Sequence, residues 1–213
     1  MYVIVEGIDG CGKDSHAQAL YDFLESEGQN PLLVAEPYEM TETGKLLRKY
    51  LREHTNPEAL FGLFIANRFD LQHEVIKPAL DEGRPVISVR GFPSTLVYQQ
   101  DKYGLEYLFR THQYMPVFPT HVAILDVDVS TAMKRIHERG EVKEVFEKED
   151  FLKKCRRRYL DPDLQYGNRP LITGINNMHL FQPVETAPIK VKVISTAGPR
   201  EEAAKHLREF ISR

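Results

Sequence analysis

The sequence predicts an α/β fold, a doubly wound parallel sheet of about five strands with helices on both faces, and three observations carry that expectation. Short apolar, β-rich runs alternate with helical patterns along 213 residues. The first run ends in a glycine-rich turn, Gly7-Ile8-Asp9-Gly10-Cys11-Gly12-Lys13, which leads straight into a helical pattern. Composition is ordinary for a globular chain, 42% hydrophobic and 28% charged, and the length suffices for one α/β unit with a buried core.

In chain order, strands are expected at 2–6, 31–35, 85–89, 121–127 and 190–194. Helices are expected at 13–27, 43–54, 56–82, 94–100, 130–139, 148–159 and 200–212. Asn56-Pro57 and Ser130 suit helix starts, and Gly28, Gly83 and Gly140 suit helix stops. Residues 161–188 carry Pro, Gly and Asn without periodicity and read as a long irregular insertion. No repeat or low-complexity linker interrupts the chain, so a single domain over 1–213 is expected.

The glycine-rich turn fits the phosphate-binding pattern G-x-x-x-x-G-K-[ST] except at its last position, where Asp14 replaces the hydroxyl. Gly7, Gly10 and Gly12 permit positive φ, so the backbone N–H groups of the loop can turn inward onto phosphate oxygens. The loop through Asp9, Cys11, Asp14 and Ser15 is the expected donor site, with the helix dipole behind it and Lys13 as a mobile point charge. A carboxylate at position 14 beside polyphosphate is costly when unshielded: at about 4 Å and an effective dielectric near 20, each like charge costs about 4 kcal/mol. A magnesium ion between them reverses that sign, so Asp14 is read as a magnesium ligand.

Other classes fit less well. The net charge of −3 argues against broad nucleic-acid binding. No apolar run approaches the roughly 20 residues a bilayer span needs, and the first strand begins without a signal-like leader. Cys11 and Cys155 give neither zinc spacing nor a disulfide framework, which points to a reducing cytoplasm. Cys11 reads as an oxidisable thiol or as a small filler of the loop. The lysine after Gly12 disfavours a dinucleotide-binding turn, and no Asn-Lys-x-Asp guanine signature occurs.

Further motifs follow the loop: Glu36-Pro37, then Gly44-Lys45-Leu46-Leu47-Arg48, then Phe64-Ile65-Ala66-Asn67-Arg68. Arg90 comes next with Ser94 and Tyr98-Gln99, then Leu125-Asp126-Val127, and then 139–151 from Arg139-Gly140 to Asp150-Phe151. On these residues the chain resembles the thymidylate kinases, P-loop enzymes that phosphorylate dTMP from ATP with magnesium. The resemblance covers residue 1 to about 159 and resumes at 190. It implies a P-loop NTPase fold, a cytoplasmic homodimer, and ATP and a deoxynucleoside monophosphate as ligands.

It also implies roles. Phe64 stacks on the base and Arg68, one helical turn on and on the same face, bonds its edge. Taken alone, that pair reads rather as a core phenylalanine beside a surface arginine. Arg90, at the C-terminal edge of the third strand, clamps the acceptor phosphate. Tyr98 lies beneath the sugar, and Asp9, Glu36, Pro37, Ser94 and Gln99 complete the acceptor site. A lid over 139–149 brings Arg139 or Lys143 to the transferring phosphoryl group. Arg156-Arg157-Arg158 reads as a solvated helix face.

The chain departs from the family pattern at Asp14, at Glu39 where an arginine is often found, and at Val89 and Gly91, which replace the acid and the aromatic flanking Arg90. Three alternatives accompany these departures: a kinase for another, modified-base monophosphate; a deoxynucleoside kinase; and a nucleotide-binding protein with little or no turnover.

Overall fold

A computed structural model describes residues 1–53, 56–139, 148–161 and 189–212. Strands β1 (Tyr2–Glu6), β2 (Leu32–Ala35), β3 (Val86–Val89), β4 (His121–Asp126) and β5 (Lys190–Ser195) form one sheet in the order β2-β3-β1-β4-β5. Every pairing is parallel. The central strands are buried along nearly their whole length, as apolar runs covered on both faces must be.

From β1 the chain builds outward in one direction to β2 and β3, then in the other to β4 and β5. Because parallel strand–helix–strand crossovers are right-handed as a rule, helices leading to the two sides of β1 cover opposite faces. The reversal leaves a crevice at the C-terminal end of β1, where parallel sheets bind ligands.

The helices are α1 (Lys13–Ser26), α2 (Glu42–Glu53), α3 (Pro57–Leu71), α4 (Lys77–Asp81), α5 (Phe92–Tyr103), α6 (Leu105–His112), α7 (Val129–Arg139), α8 (Glu149–Tyr159) and α9 (Arg200–Ile211). Asn56 caps α3 as expected, its side-chain oxygen accepting from the N–H of Glu58 at 2.8 Å and of Ala59 at 3.2 Å.

Three expectations change. The long helix at 56–82 is interrupted by a π-turn over Gln72–Ile76 before α4. Pro78 lacks the N–H that would bond the carbonyl four residues back, and the widened turn accommodates that break. The expected helix at 94–100 begins at Phe92 and runs to Tyr103, and a second one, α6, follows directly. Gly104, at φ +71°, ends the first and opens the second. At α7 it is Asp128, not Ser130, that caps the start, its carboxylate accepting from the N–H of Thr131 at 2.8 Å. The expected lid at 139–149 and insertion at 161–188 fall almost wholly outside the described residues.

Candidate active site

The turn after β1 is built for an anion. Gly7, Gly10 and Gly12 all have positive φ, at +138°, +81° and +91°. A side chain on Gly7 would meet the Leu125 carbonyl oxygen at 2.4 Å, and one on Gly10 would meet that of Ala132 at 2.4 Å, so packing as well as φ demands glycine. No side chain caps α1, which leaves its N-terminal N–H groups open to a ligand. The Lys13 ammonium donates to the carbonyls of Gly7 at 3.0 Å and Ile8 at 2.9 Å, lying across the loop. Cys11 is buried against Gly7 and burial pushes its thiol up, so the filler reading fits. Asp14 and Ser15 are exposed on the first turn of α1.

Beside the loop, all nine residues expected at the acceptor site line one cleft of about 660 Å³, counting its open mouth: Asp9, Glu36, Pro37, Phe64, Arg68, Arg90, Ser94, Tyr98 and Gln99. Arg48, Leu51 and Thr95 complete the lining. Asp9 joins the two regions. Its carboxylate pairs with Arg90, accepts from the Tyr98 hydroxyl at 3.3 Å and lies 3.5 Å from Lys13 Nζ. Burial opposes its ionisation, yet Arg90 and Lys13 outweigh that and hold the carboxyl at about 2.

Arg90 leaves β3 with φ +69°, a left-handed conformation uncommon outside glycine. The Ser88 hydroxyl bonds its carbonyl at 2.7 Å, and its own N–H reaches the Val5 carbonyl at 3.0 Å. Its guanidinium donates to Ser94 Oγ at 3.2 Å and lies 5.4 Å from the Tyr98 ring centre. Under it, the buried Glu6 carboxylate accepts from Gly91 N–H (2.8 Å), Ser94 N–H (3.0 Å), Ser94 Oγ–H (2.9 Å) and Tyr159 O–H (2.8 Å). Burial pushes the Glu6 carboxyl up, while Arg90 and these bonds pull it back. A Cβ added at Gly91 would sit 2.6 Å from Ile4 Cδ1, so a side chain there requires the end of Ile4 to shift.

Arg68 differs from its expected role. It is 2% exposed, and all five of its N–H groups are engaged by protein. Nε and Nη2 fork onto Glu36 at 2.6–3.1 Å, Nη2 also reaches the Gly91 carbonyl at 3.0 Å, and Nη1 reaches Thr95 Oγ1 at 2.9 Å and His112 Nε2 at 2.7 Å. Direct bonding of a base edge by Arg68 therefore requires displacing one of these partners. The guanidinium instead forms the floor of the cleft.

The departures also find their places. Glu39 pairs with Arg48, so a cation borne by α2 lines the cleft although the Glu-Pro segment lacks one. Val89 is buried at the end of β3. The tri-arginine run is not simply solvated: Arg156 forks onto Asp126 at 2.7 and 2.9 Å, and Arg158 bonds the Val97 carbonyl at 2.7 Å and pairs with Asp101. The Arg139 side chain and Lys143 lie outside the described residues.

Glu6, Arg48, Leu51, Thr95, His112 and Tyr159 were not expected as site residues. A charge closing an otherwise apolar strand was the available signal for Glu6. For His112 it was the Leu105, Leu108, Phe109, His112 spacing of a helix face.

A glycine loop with an uncapped helix behind it, at the switch point of a parallel sheet, defines a P-loop protein, and the cleft beside it supplies room for a second ligand. Comparison with known proteins gives the family. A family model described as thymidylate kinase matches residues 5–169. Among curated relatives named "Probable thymidylate kinase", that of Methanospirillum hungatei is 38% identical over 166 residues, 75% of this chain and 79% of the relative. That of Thermococcus gammatolerans is 37% identical over 172 residues, covering 75% and 81%. That of Pyrococcus horikoshii is 34% identical over 191, covering 84% and 91%. The chain belongs to the thymidylate kinase family.

Proposed function

We propose that this protein transfers the terminal phosphoryl group of ATP to dTMP, giving ADP and dTDP. One observation supports the reading above the rest. A cleft lined by Phe64, Tyr98 and Arg90 abuts the phosphate loop, and Asp9 touches both. In the reaction an acceptor phosphate oxygen forms a bond to the γ-phosphorus, and the bond to the β–γ bridging oxygen breaks. Little covalent work falls to the protein, so alignment and charge neutralisation dominate.

Lys13 and the loop amides hold the donor phosphates. Arg90, fixed by Asp9 and Ser94, holds the acceptor phosphate, and Arg48 is a second cation at the cleft. Phe64 stacks on the base, and Tyr98 floors the sugar. Arg139 or Lys143 closes over the transferring group. Asp14 fits magnesium: it is an exposed hard-oxygen ligand on the turn that meets phosphate, with no ion pair among the described residues. When bound, the ion supplies charge neutralisation across the donor phosphates. Asp14→Ser should then raise the magnesium concentration needed for half-maximal rate. Higher activity with an unchanged magnesium requirement would count against this assignment.

The family relationship also supports a single kinase domain, a homodimer and a cytoplasmic setting. A coupled assay with ATP, magnesium and a panel of deoxynucleoside monophosphates and deoxynucleosides tests the function. Turnover of dTMP above about 1 s⁻¹, the low end for kinases, is expected. Absence of turnover, or a clear preference for another acceptor, overturns it.

A further inference from the structure

The phosphate loop owes its shape to glycines, and a glycine leaves the peptide before it free to turn over. Turning the Cys11–Gly12 peptide changes φ of Gly12, now +91°, to a negative value that glycine adopts as readily. Something other than the loop's own sterics must fix which way that peptide faces.

The constraint comes from the far end of the sheet. Thr196, just past the end of β5, is 3% exposed. Its Oγ1 lies 2.9 Å from the Cys11 carbonyl oxygen and 3.3 Å from that of Asp126. Both neighbours can only accept, so the hydroxyl donates. The Asp126 carbonyl already receives the Thr196 N–H at 2.8 Å, and the shorter hydroxyl contact is the one to Cys11. That bond is buried, so the Cys11 carbonyl points into the protein. A planar trans peptide sets its N–H opposite its C=O. The Gly12 N–H therefore faces away from the interior, where α1 begins without a side-chain cap.

Arg135, on α7, clasps the same corner, donating to the Thr196 carbonyl at 2.9 Å and the Gly10 carbonyl at 3.4 Å. The bonds from Lys13 to Gly7 and Ile8 are of another kind, because Lys13 exchanges them for the donor phosphates. Those from Thr196 and Arg135 need no exchange and hold whether the loop is full or empty.

We propose that Thr196 is a positioning residue of the donor site, whose hydroxyl holds the Cys11–Gly12 peptide with its N–H toward the polyphosphate. Without the hydroxyl, the peptide can turn its carbonyl oxygen to the anion, and an attraction becomes a repulsion. The inference rests on the loop being the site of the ATP phosphates. It adds to that site a residue 185 positions along the chain from Cys11.

The test measures how well MgATP and inorganic tripolyphosphate displace a fluorescent ATP analogue from wild type, Thr196→Val and Thr196→Ser, with dTMP affinity followed by calorimetry. Thr196→Val keeps the shape and loses the hydroxyl. It should weaken MgATP and tripolyphosphate alike by about tenfold, the weight of one hydrogen bond to an anion. Thr196→Ser should stay within about threefold of wild type for both, since it restores the donor. Affinity for dTMP should hold in every variant. If Thr196→Val does not fold, Thr196→Ala must show the same losses. Tripolyphosphate binding that survives in a folded variant without the hydroxyl overturns the inference, even if MgATP weakens. A parallel loss of dTMP binding also overturns it, because the effect is then a general loosening. A wild-type protein that takes up no ATP analogue overturns the donor-site reading together with this inference.

Discussion

The phosphate loop and the acceptor cleft meet at Asp9 but are built on opposite plans. The loop works through backbone: three glycines at positive φ, an uncapped helix and one lysine lying over carbonyls. The cleft works through side chains, with Glu6, Glu36, Arg68, Arg90, Thr95 and His112 locked in shared bonds. A backbone cradle suits a donor whose polyphosphate is the same for any nucleotide. A side-chain network suits an acceptor that must be told from its relatives, because fixed donors and acceptors discriminate.

That contrast predicts where substitutions act. The largest effect on stability belongs to the cleft. Removing the Glu36 charge leaves Arg68 buried without its counter-ion, and Glu36→Gln should cost about 3–5 kcal/mol in urea unfolding. A Glu36→Leu, Arg68→Met double variant should lose less than Glu36→Gln does. If the single variant is as stable as wild type, the network is not the cleft's support.

In the loop, Lys13→Ala should lower kcat/KM for ATP by about 10²–10³-fold or more and bring ATP binding below detection by calorimetry. Affinity for dTMP should barely change. Loss of dTMP binding in the same variant would mean the two regions are not separable.

Asp9 tests the seam between them. Its folded value of about 2 lies below the roughly 3.9 of an unfolded aspartate. The stabilisation is therefore fully present above about pH 4 and is lost as pH falls towards 2. Asp9→Asn should remove about 2 kcal/mol at pH 7 and flatten the wild-type loss over that acid window. An unchanged acid limb would show that Arg90 and Lys13 do not favour the carboxylate.

The two regions also differed in how far the sequence revealed them. The loop was legible because glycine at fixed spacing has few physical uses, and Lys13 completes them. The sheet was legible because its strands are apolar runs closed by Gly, Pro and charged residues. Arg68 was found, but its surroundings were not. Thr95 and His112 reach it from α5 and α6, and nothing local in the sequence says that helix faces 27 and 44 residues away converge there. Pro78 was legible as an interruption only in hindsight, since its missing bond was absorbed by one widened turn. Asp128 was overlooked as a cap because Ser130 offers the same chemistry two residues on.

Glu6 gathers four hydrogens from Gly91, Ser94 and Tyr159 onto one carboxylate. The start of α5 and the end of α8 are thereby pinned to the tip of the central strand. Anyone redesigning acceptor choice by grafting a different α5 inherits that junction. The graft must keep a free amide at 91 and a short hydroxyl at 94, or the tyrosine at 159 loses its shared mooring and the new pocket opens from behind.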